Sequence, residues 1–222
     1  SNIPQKSEEE SKTHYENADF WKLRYDFFMK LLPIMSGIIT IGKIQYEEYL
    51  NANLGLPIFY LPMVALPSYL PINQLPYEHR DIDIFFSGSS TEYRSQIIKR
   101  FTDLGLHVVT TSVRNPEYLR RHFLERSKLA LGLKLGPTTY YLSKARAHYY
   151  LTRRCAHFFE AVAEKTEFDP YIDFSYHPDI VTATVNKLNT TCEFDDKMLE
   201  DFSSAYPYQD VFTALNDFFN NS

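Results

Sequence analysis

Short apolar runs alternate along most of the chain with longer stretches in which apolar residues recur at helical spacing. The clearest run, Ile-Asp-Ile-Phe-Phe at residues 82–86, is too apolar to leave one face in water and predicts a buried strand. Ser-Gly at 87–88 ends this run. Ser89 stands three residues before Glu92, as in a capping box, which predicts that a helix begins here. Its apolar positions continue at helical spacing to Gly105, a residue suited to end a helix.

The same alternation continues towards the C-terminus. Further strands are predicted at residues 107–111, 129–133, 155–159 and 171–174, with helices after the first, second and fourth of them. This regular alternation predicts an α/β fold, a Rossmann-like parallel sheet with helices on both faces. Two further helical segments close the chain near residues 195–204 and 208–219.

The pattern before residue 81 is different and predicts a division into segments. Residues 1–12 are polar and acidic, which predicts a disordered tail. A helix and a βαβ pattern follow, and prolines then interrupt the chain in a way that predicts a stiff linker. We therefore expect a small N-terminal unit at 13–61, a linker at 62–80, the main α/β domain at 81–192, and at 193–222 two helices that pack back on the N-terminal segment.

Composition limits the classes of function. Hydrophobic residues make up 44% of the 222 positions and charged residues 23%, as in ordinary soluble globular proteins. A net charge of −5 argues against a nucleic-acid-binding surface. The two cysteines, Cys155 and Cys192, provide neither a disulfide framework nor a zinc site and favour a reducing compartment. Because no apolar run reaches membrane-spanning length, we expect a cytoplasmic protein, with peripheral membrane association left open.

Candidate ligand-binding residues lie where the predicted strands end. Ligands of parallel sheets bind at this edge, where helix N-termini also point and attract anions such as phosphate. Arg146, near a predicted helix start, could give a diphosphate fixed charge and paired hydrogen bonds. Glu160, at a strand end, could accept two hydroxyl donors from a sugar diol. The alternatives are a surface ion pair for Arg146, a solvated charge for Glu160, and an ordinary ligand-free turn at residues 87–91.

Other motifs give weaker signals. Asp81-Ile82-Asp83 matches the Asp-x-Asp of metal-dependent glycosyltransferases, but it lies at the amino end of a strand, so we interpret it as structural. The seven histidines include no pair with the spacing of a metal site. The chain also lacks the motifs that mark common hydrolases, nucleotide triphosphatases and dinucleotide-dependent dehydrogenases. We therefore expect no metal site.

Several blocks of sequence together resemble one enzyme family. They are the Asp-Ile-Asp-Ile-Phe-Phe-Ser-Gly run at 81–88 with Arg94 after it, Leu-Gly-Leu-His-Val-Val at 104–109, Ser-Lys-Leu-Ala-Leu at 127–131, and Leu-Ser-Lys-Ala-Arg at 142–146 followed by Phe-Phe-Glu at 158–160. Residues 81–188 thereby resemble the donor-binding, C-terminal domain of GT-B glycosyltransferases that act on polysaccharide, capsule or envelope sugars. Residues 37–70 resemble the last βα unit of the acceptor domain and the linker that follows it.

The resemblance implies a metal-independent glycosyltransferase of polysaccharide biosynthesis, with a nucleotide-sugar as substrate and no cofactor. Its acceptor would be a glycan or a lipid-linked molecule, and the missing acceptor domain would belong to the full-length protein or to another chain. The resemblance places Ser143 and Arg146 at the donor diphosphate and Glu160 at the ribose. The expected donor-binding residues are Ser89, Ser90, Thr91, Arg94, Ser143, Arg146 and Glu160, and no catalytic residue is assigned.

One departure and one alternative accompany this interpretation. The family often has a glycine soon after the strand-end glutamate, whereas this chain continues with Ala-Val-Ala at residues 161–163. The alternative function is a non-catalytic nucleotide-binding or interaction module of flavodoxin-like or TIR-like shape. Such a module would not need a hydroxyl-rich loop, an arginine at a helix start and a glutamate at a strand end on one edge of the sheet.

Overall fold

The computed structural model describes residues 18–66, 72–112, 114–137, 139, 142–163, 165–190 and 192–221. The predicted disordered tail, residues 1–12, lies outside these residues. The chain forms two compact units. The small unit holds the described residues up to Pro62 together with those from Gln209 onwards, and the large unit runs from Met63 to Tyr208. No helix in the described part of the chain is long and apolar enough to cross a membrane.

The helices and strands follow one another in the order that the sequence predicts, with β7 directly after β6 and three helices at the end. The helices are α1 (Ala18–Leu31), α2 (Lys43–Ala52), α3 (Glu92–Asp103), α4 (Glu117–Glu125), α5 (Lys144–Thr152), α6 (Ile180–Leu188), α7 (Asp196–Ala205) and α8 (Tyr208–Asn221). The strands are β1 (Ile38–Thr40), β2 (Ile58–Tyr60), β3 (Ile82–Ser87), β4 (Val108–Thr111), β5 (Ser127–Gly132), β6 (His157–Glu160) and β7 (Phe174–Ser175).

The large unit is built on a five-stranded sheet in the order β4-β3-β5-β6-β7, and every pairing is parallel. The predicted Rossmann-like fold class is therefore confirmed. The last strand lies later than expected, at Phe174–Ser175 instead of residues 171–174. The reason is a turn before it, in which the Tyr171 N–H donates to the Phe168 carbonyl at 2.8 Å.

The alternating side chains of β3 fill two cores, one on each face of the sheet. Phe85 is fully buried on one face, with residues of α4, α5 and α7 that include Phe202. Ile84 and Phe86 point to the other face, where they pack with α3 and α6. Both faces of the sheet are therefore covered by helices, which explains why the run at 82–86 is almost continuously apolar.

The start of α3 differs from the sequence prediction. The N-cap is Thr91, not Ser89, and the Thr91 Oγ1 accepts a hydrogen bond from the Arg94 N–H at 3.2 Å. The helix begins later because Thr91 is still extended, with φ of −131°. Ser89 and Ser90 thus stay in the turn after β3. The predicted end is confirmed, since Gly105 follows the C-cap with φ of +81°.

The two C-terminal helices belong to different units. Helix α7 lies in the large unit, where Phe202 is fully buried. Helix α8 packs in the small unit, where the Phe218 ring lies 5.2 Å from the ring of Phe59 in β2. Part of the segment expected to be a linker packs in the large unit, with Ile72 in its core and the Leu75 N–H donating to the Glu125 carbonyl at 2.9 Å.

Replacing Gly132 by Ala is expected to destabilise the fold. A Cβ atom at Gly132 in β5 would lie 2.0 Å from the ring of Phe159, which is buried in the neighbouring strand. We expect a loss of about 1–3 kcal/mol in the free energy of unfolding, measured by urea denaturation. Gly136→Ala is the matched control, because its Cβ would meet its nearest atom at 3.9 Å. Equal stability of the two variants would contradict this prediction.

Acid is expected to destabilise the large unit through two histidines, the buried His157 and the half-buried His148. Burial lowers the pKa of His157, although the nearby Asp173 acts in the opposite direction, and burial also lowers the pKa of His148. The unfolded chain therefore binds protons more readily than the folded one. The free energy of unfolding should therefore be highest above a pH of about 6.5 and should decrease as the pH falls below that value. The urea concentration at the unfolding midpoint, measured at pH 7 and at pH 5.5, tests this prediction. His157→Asn should reduce the difference between the two midpoints. A difference equal to that of the wild type would contradict the prediction.

Candidate functional site

The candidate site lies at the carboxyl edge of the sheet, next to the point where the strand order reverses. The chain leaves β3 on one side towards β4 and returns on the other side as β5. Ligands of open α/β sheets bind at such switch points. Two turns meet here, residues 88–91 after β3 and residues 133–135 after β5.

Arg94 joins these two turns. Its Nε donates to the Lys134 carbonyl at 2.7 Å, its Nη2 to the Leu133 carbonyl at 2.9 Å, and its Nη1 to the Ser89 carbonyl at 2.9 Å. The side chain is buried, and its Cζ lies 5.3 Å from the ring centre of Phe86. Arg94 is therefore part of the site, where it also fixes the shape of both turns.

Arg146 reaches the same place from the first turn of α5. Its Nε donates to the Ser87 carbonyl at 2.8 Å and its Nη1 to the Leu133 carbonyl at 3.2 Å. Its Cζ lies 5.0 Å from the ring centre of Phe86. Burial lowers the pKa of Arg146, and no carboxylate in the described part of the chain forms an ion pair with it. The alternative interpretation of Arg146, a surface ion pair, is therefore not what the described residues show.

Gly88 makes room for the Arg146 side chain. A Cβ atom at Gly88 would lie 2.4 Å from the Arg146 Nη2 and 3.0 Å from the Phe86 ring. A larger residue at this position would displace the guanidinium from the edge of the sheet. The Ser-Gly turn thus serves the position of Arg146, which sequence reasoning did not foresee.

The hydroxyl residues of the first turn take different positions. Thr91 is buried and its Oγ1 donates to the Leu135 carbonyl at 2.9 Å. Ser89 contributes its carbonyl to Arg94, whereas the exposed Ser90 pairs its hydroxyl with that of Ser95 at 3.1 Å. Of these hydroxyls, that of Ser90 is the one most accessible to a ligand.

Ser143 lies at the N-cap position of α5 but does not cap it through its side chain. Its carbonyl accepts hydrogen bonds from the N–H groups of Arg146 and Ala147, both at 3.0 Å. The side chain is exposed. Part of the hydroxyl-rich loop before it, residues 138, 140 and 141, lies outside the described residues. The predicted role of Ser143 in diphosphate binding stays a prediction.

Glu160 is buried at the end of β6 and is already engaged within the protein. Its Oε1 accepts a hydrogen bond from the Tyr93 hydroxyl and lies 3.2 Å from the Lys134 Nζ. Its Oε2 accepts from the Lys134 N–H at 3.0 Å. Burial, together with the neighbouring Glu160, raises the pKa of Tyr93 well above its usual value. The carboxylate is therefore not a solvated strand-end charge, and its predicted contact with a ribose stays a prediction.

Sequence reasoning missed the turn after β5. The carbonyls of Leu133, Lys134 and Leu135 accept hydrogen bonds from Arg94, Arg146 and Thr91. One signal was available, because Lys134 follows a predicted strand just as Ser87–Gly88 and Glu160 do. Backbone acceptors, however, carry no residue-type signature.

A cavity of about 390 Å³ opens beside the site, between α3 and the end of β4. At one end it is lined by Gly88, Ser90 and Arg94, which belong to the turn after β3 and the start of α3. It extends along α3 to Thr102 and across to Thr110. The cavity is therefore continuous with the candidate site.

The Asp-x-Asp motif has structural partners at the opposite edge of the sheet. Asp81 pairs with Arg126, and Asp83 pairs with the Lys128 Nζ at 2.7 Å. The Asp83 carboxylate also accepts from the His107 N–H at 2.8 Å. Across the residues that the structure describes, no group of three His, Cys, Asp or Glu side chains could hold a metal ion.

Comparisons with known proteins bear on the fold. The sequence matches no protein-family model and no curated protein sequence. The structure is similar to the crystal structure of TarM, a glycosyltransferase, with a TM-score of 0.54 over 88% of this chain and 46% of TarM. The chain has a glycosyltransferase-like fold. It spans about half the length of TarM, and at 14% sequence identity the similarity establishes the fold, not the reaction.

The hydrogen bond from Tyr93 to Glu160 is expected to stabilise the protein. Tyr93→Phe would remove a donor from a buried carboxylate, which should lower the free energy of unfolding by about 1.5–3 kcal/mol. Tyr118→Phe is the control, because Tyr118 is 73% exposed. Urea denaturation measures both variants, and a Tyr93→Phe variant as stable as the control would show that the carboxylate finds another donor.

Proposed function

We propose that this chain binds the donor of a nucleotide-sugar-dependent glycosyltransferase, with the donor diphosphate at the carboxyl edge of the large sheet. One observation carries the proposal. Arg146 is a half-buried cation that contacts two carbonyls and no carboxylate in the described part of the chain. Burying a charge without a counter-charge is costly, and a bound diphosphate would supply that counter-charge.

The surroundings of Arg146 suit a diphosphate. A guanidinium has five N–H donors, and Arg146 uses two of its nitrogens on carbonyls, so donors remain for phosphate oxygens. The second cation, Arg94, converges on the same Leu133 carbonyl. The first turn of α3 starts beside them and adds the positive end of a helix dipole. The glycosyltransferase-like fold is consistent with this use of the edge.

In sugar transfer, the bond between the anomeric carbon and the diphosphate oxygen breaks, and negative charge develops on that oxygen. Arg146 and Arg94 would stabilise this charge, because they are held in place before the reaction by their carbonyl contacts. This positive charge would allow a metal-independent reaction. The acceptor, a glycan or a lipid-linked molecule, would bind in a region supplied by the rest of a longer protein or by another chain.

Calorimetric titration with UDP, GDP, CMP and dTDP tests this function. At least one nucleotide should bind, and Arg146→Ala should weaken its binding by about one to two decades, or about 1.5–3 kcal/mol. Arg146→Gln, which keeps most of the side-chain volume, should have a similar effect if the alanine variant folds poorly. Circular dichroism would check folding.

The control is Arg100→Ala in the same unit. Arg100 lies on α3 and forms an exposed ion pair with Asp179, with contacts of 3.0 and 2.7 Å. Removing such an exposed pair should leave nucleotide affinity unchanged. If the wild-type chain bound none of the four nucleotides, or bound them equally well without Arg146, the donor-binding function would be rejected.

A further inference from the structure

The two ends of a nucleoside diphosphate need different surroundings, and the proposed function assigns only the phosphate end. The nucleoside could extend from the two arginines in one of two directions. One direction leads to Glu160 at the end of β6. The other leads into the cavity between α3 and β4.

The Glu160 direction is closed by contacts within the protein. Both carboxylate oxygens have partners, namely the Tyr93 hydroxyl, the Lys134 N–H and the Lys134 Nζ. Glu160 is only 9% exposed. A ribose that bound to this carboxylate would have to displace a buried hydrogen bond or an ion pair, and both are costly to break.

The cavity direction is open and has a suitable size. Its volume of about 390 Å³ lies in the range of small-molecule sites. Ser95 and Thr102 on its α3 side are seven residues apart, which corresponds to about 10 Å along a helix axis. The cavity therefore offers an elongated space that begins at Arg94, where the phosphates would lie.

The lining of the cavity suits a nucleoside. Ile98 and the small exposed part of Phe86 provide apolar surface for a base, and the exposed hydroxyl residues Ser95, Thr102 and Thr110 can bond to a ribose or to base edges. Thr110 lies on the α3 face of the sheet, because Val108, two residues earlier, packs with Ile98 in the same core. None of the described residues that line the cavity is acidic.

We infer that the nucleoside end of the donor binds in the cavity between α3 and β4, and not at Glu160. The inference rests on the proposed function, since the phosphates anchored at Arg94 and Arg146 position the nucleoside at the cavity entrance. Glu160 then has a structural role, in which it ties Tyr93 of α3 to the turn after β5.

Blocking the far end of the cavity tests this inference. Thr102 is exposed, so Thr102→Phe should fold normally while its ring enters the space for the base. Titration with UDP and GDP should show binding at least tenfold weaker than in the wild type, whereas binding of inorganic pyrophosphate should be unchanged. Thr110→Phe, which blocks the cavity from the opposite wall, should give the same result.

Two controls complete the experiment. Gln96→Phe places the same ring on an exposed position of α3 outside the cavity and should not alter binding of any of the three probes. Glu160→Gln should leave UDP and GDP affinity within threefold of the wild type, even though it lowers stability. Arg146→Ala should weaken the binding of UDP, GDP and pyrophosphate alike, because each contains a diphosphate.

The outcomes separate the inference from the proposed function. Suppose that UDP or GDP binding depended on Arg146, that both cavity variants bound these nucleotides as well as the wild type, and that Glu160→Gln weakened their binding tenfold or more. The inference would then be overturned while the proposed function stood. If the wild-type chain bound neither nucleotides nor pyrophosphate, both would fail. Selective loss of nucleotide binding in both cavity variants would establish the nucleoside site.

Discussion

The burial of the apolar side chains of β3 on both faces of the sheet is the constraint on which the large unit depends. This strand lies between β4 and β5, and Ile82, Ile84 and Phe85 have no exposed surface. A strand enclosed on both edges and both faces cannot present polar groups along its length. Charged side chains therefore interact with this strand mainly at its two ends. At the amino end, Asp81 pairs with Arg126, whereas the carboxyl end gathers two arginines that reach in from α3 and α5.

The two ends differ in how charge is compensated. The amino end joins carboxylates to basic side chains in ordinary ion pairs. At the carboxyl end, the half-buried Arg146 is compensated by carbonyl dipoles and by the face of the Phe86 ring, which are weaker partners for a cation than a carboxylate. A ligand that binds only the folded state would stabilise it by an amount that grows with the logarithm of its concentration divided by Kd. A diphosphate at this edge would thus add stability at the point where charge compensation is weakest.

Local sequence patterns predicted the fold well, because they depend on near neighbours in the chain. The buried strand at 82–86 and the end of α3 at Gly105 follow from apolar spacing and glycine conformation. The predicted site residues do gather at one edge, since parallel strands end together. The cap at Thr91 was missed because Ser89 and Thr91 are both good caps and only the fold selects one. The engagement of Glu160 by Tyr93 and the carbonyls of residues 133–135 depend on contacts distant in sequence, which one sequence does not reveal.

Helix α3 separates the two directions in which a nucleoside could extend. With about 100° between successive helical residues, Tyr93 and Ser95 point to roughly opposite sides, and so do Tyr93 and Thr102. Tyr93 is bonded to Glu160 on one side, while Ser95 and Thr102 line the cavity on the other. Arg94 lies between them and is fixed by three carbonyls. A nucleotide whose phosphates are anchored at Arg94 can therefore extend along only one side of α3, and the side that lacks a closed hydrogen-bond network is the cavity side.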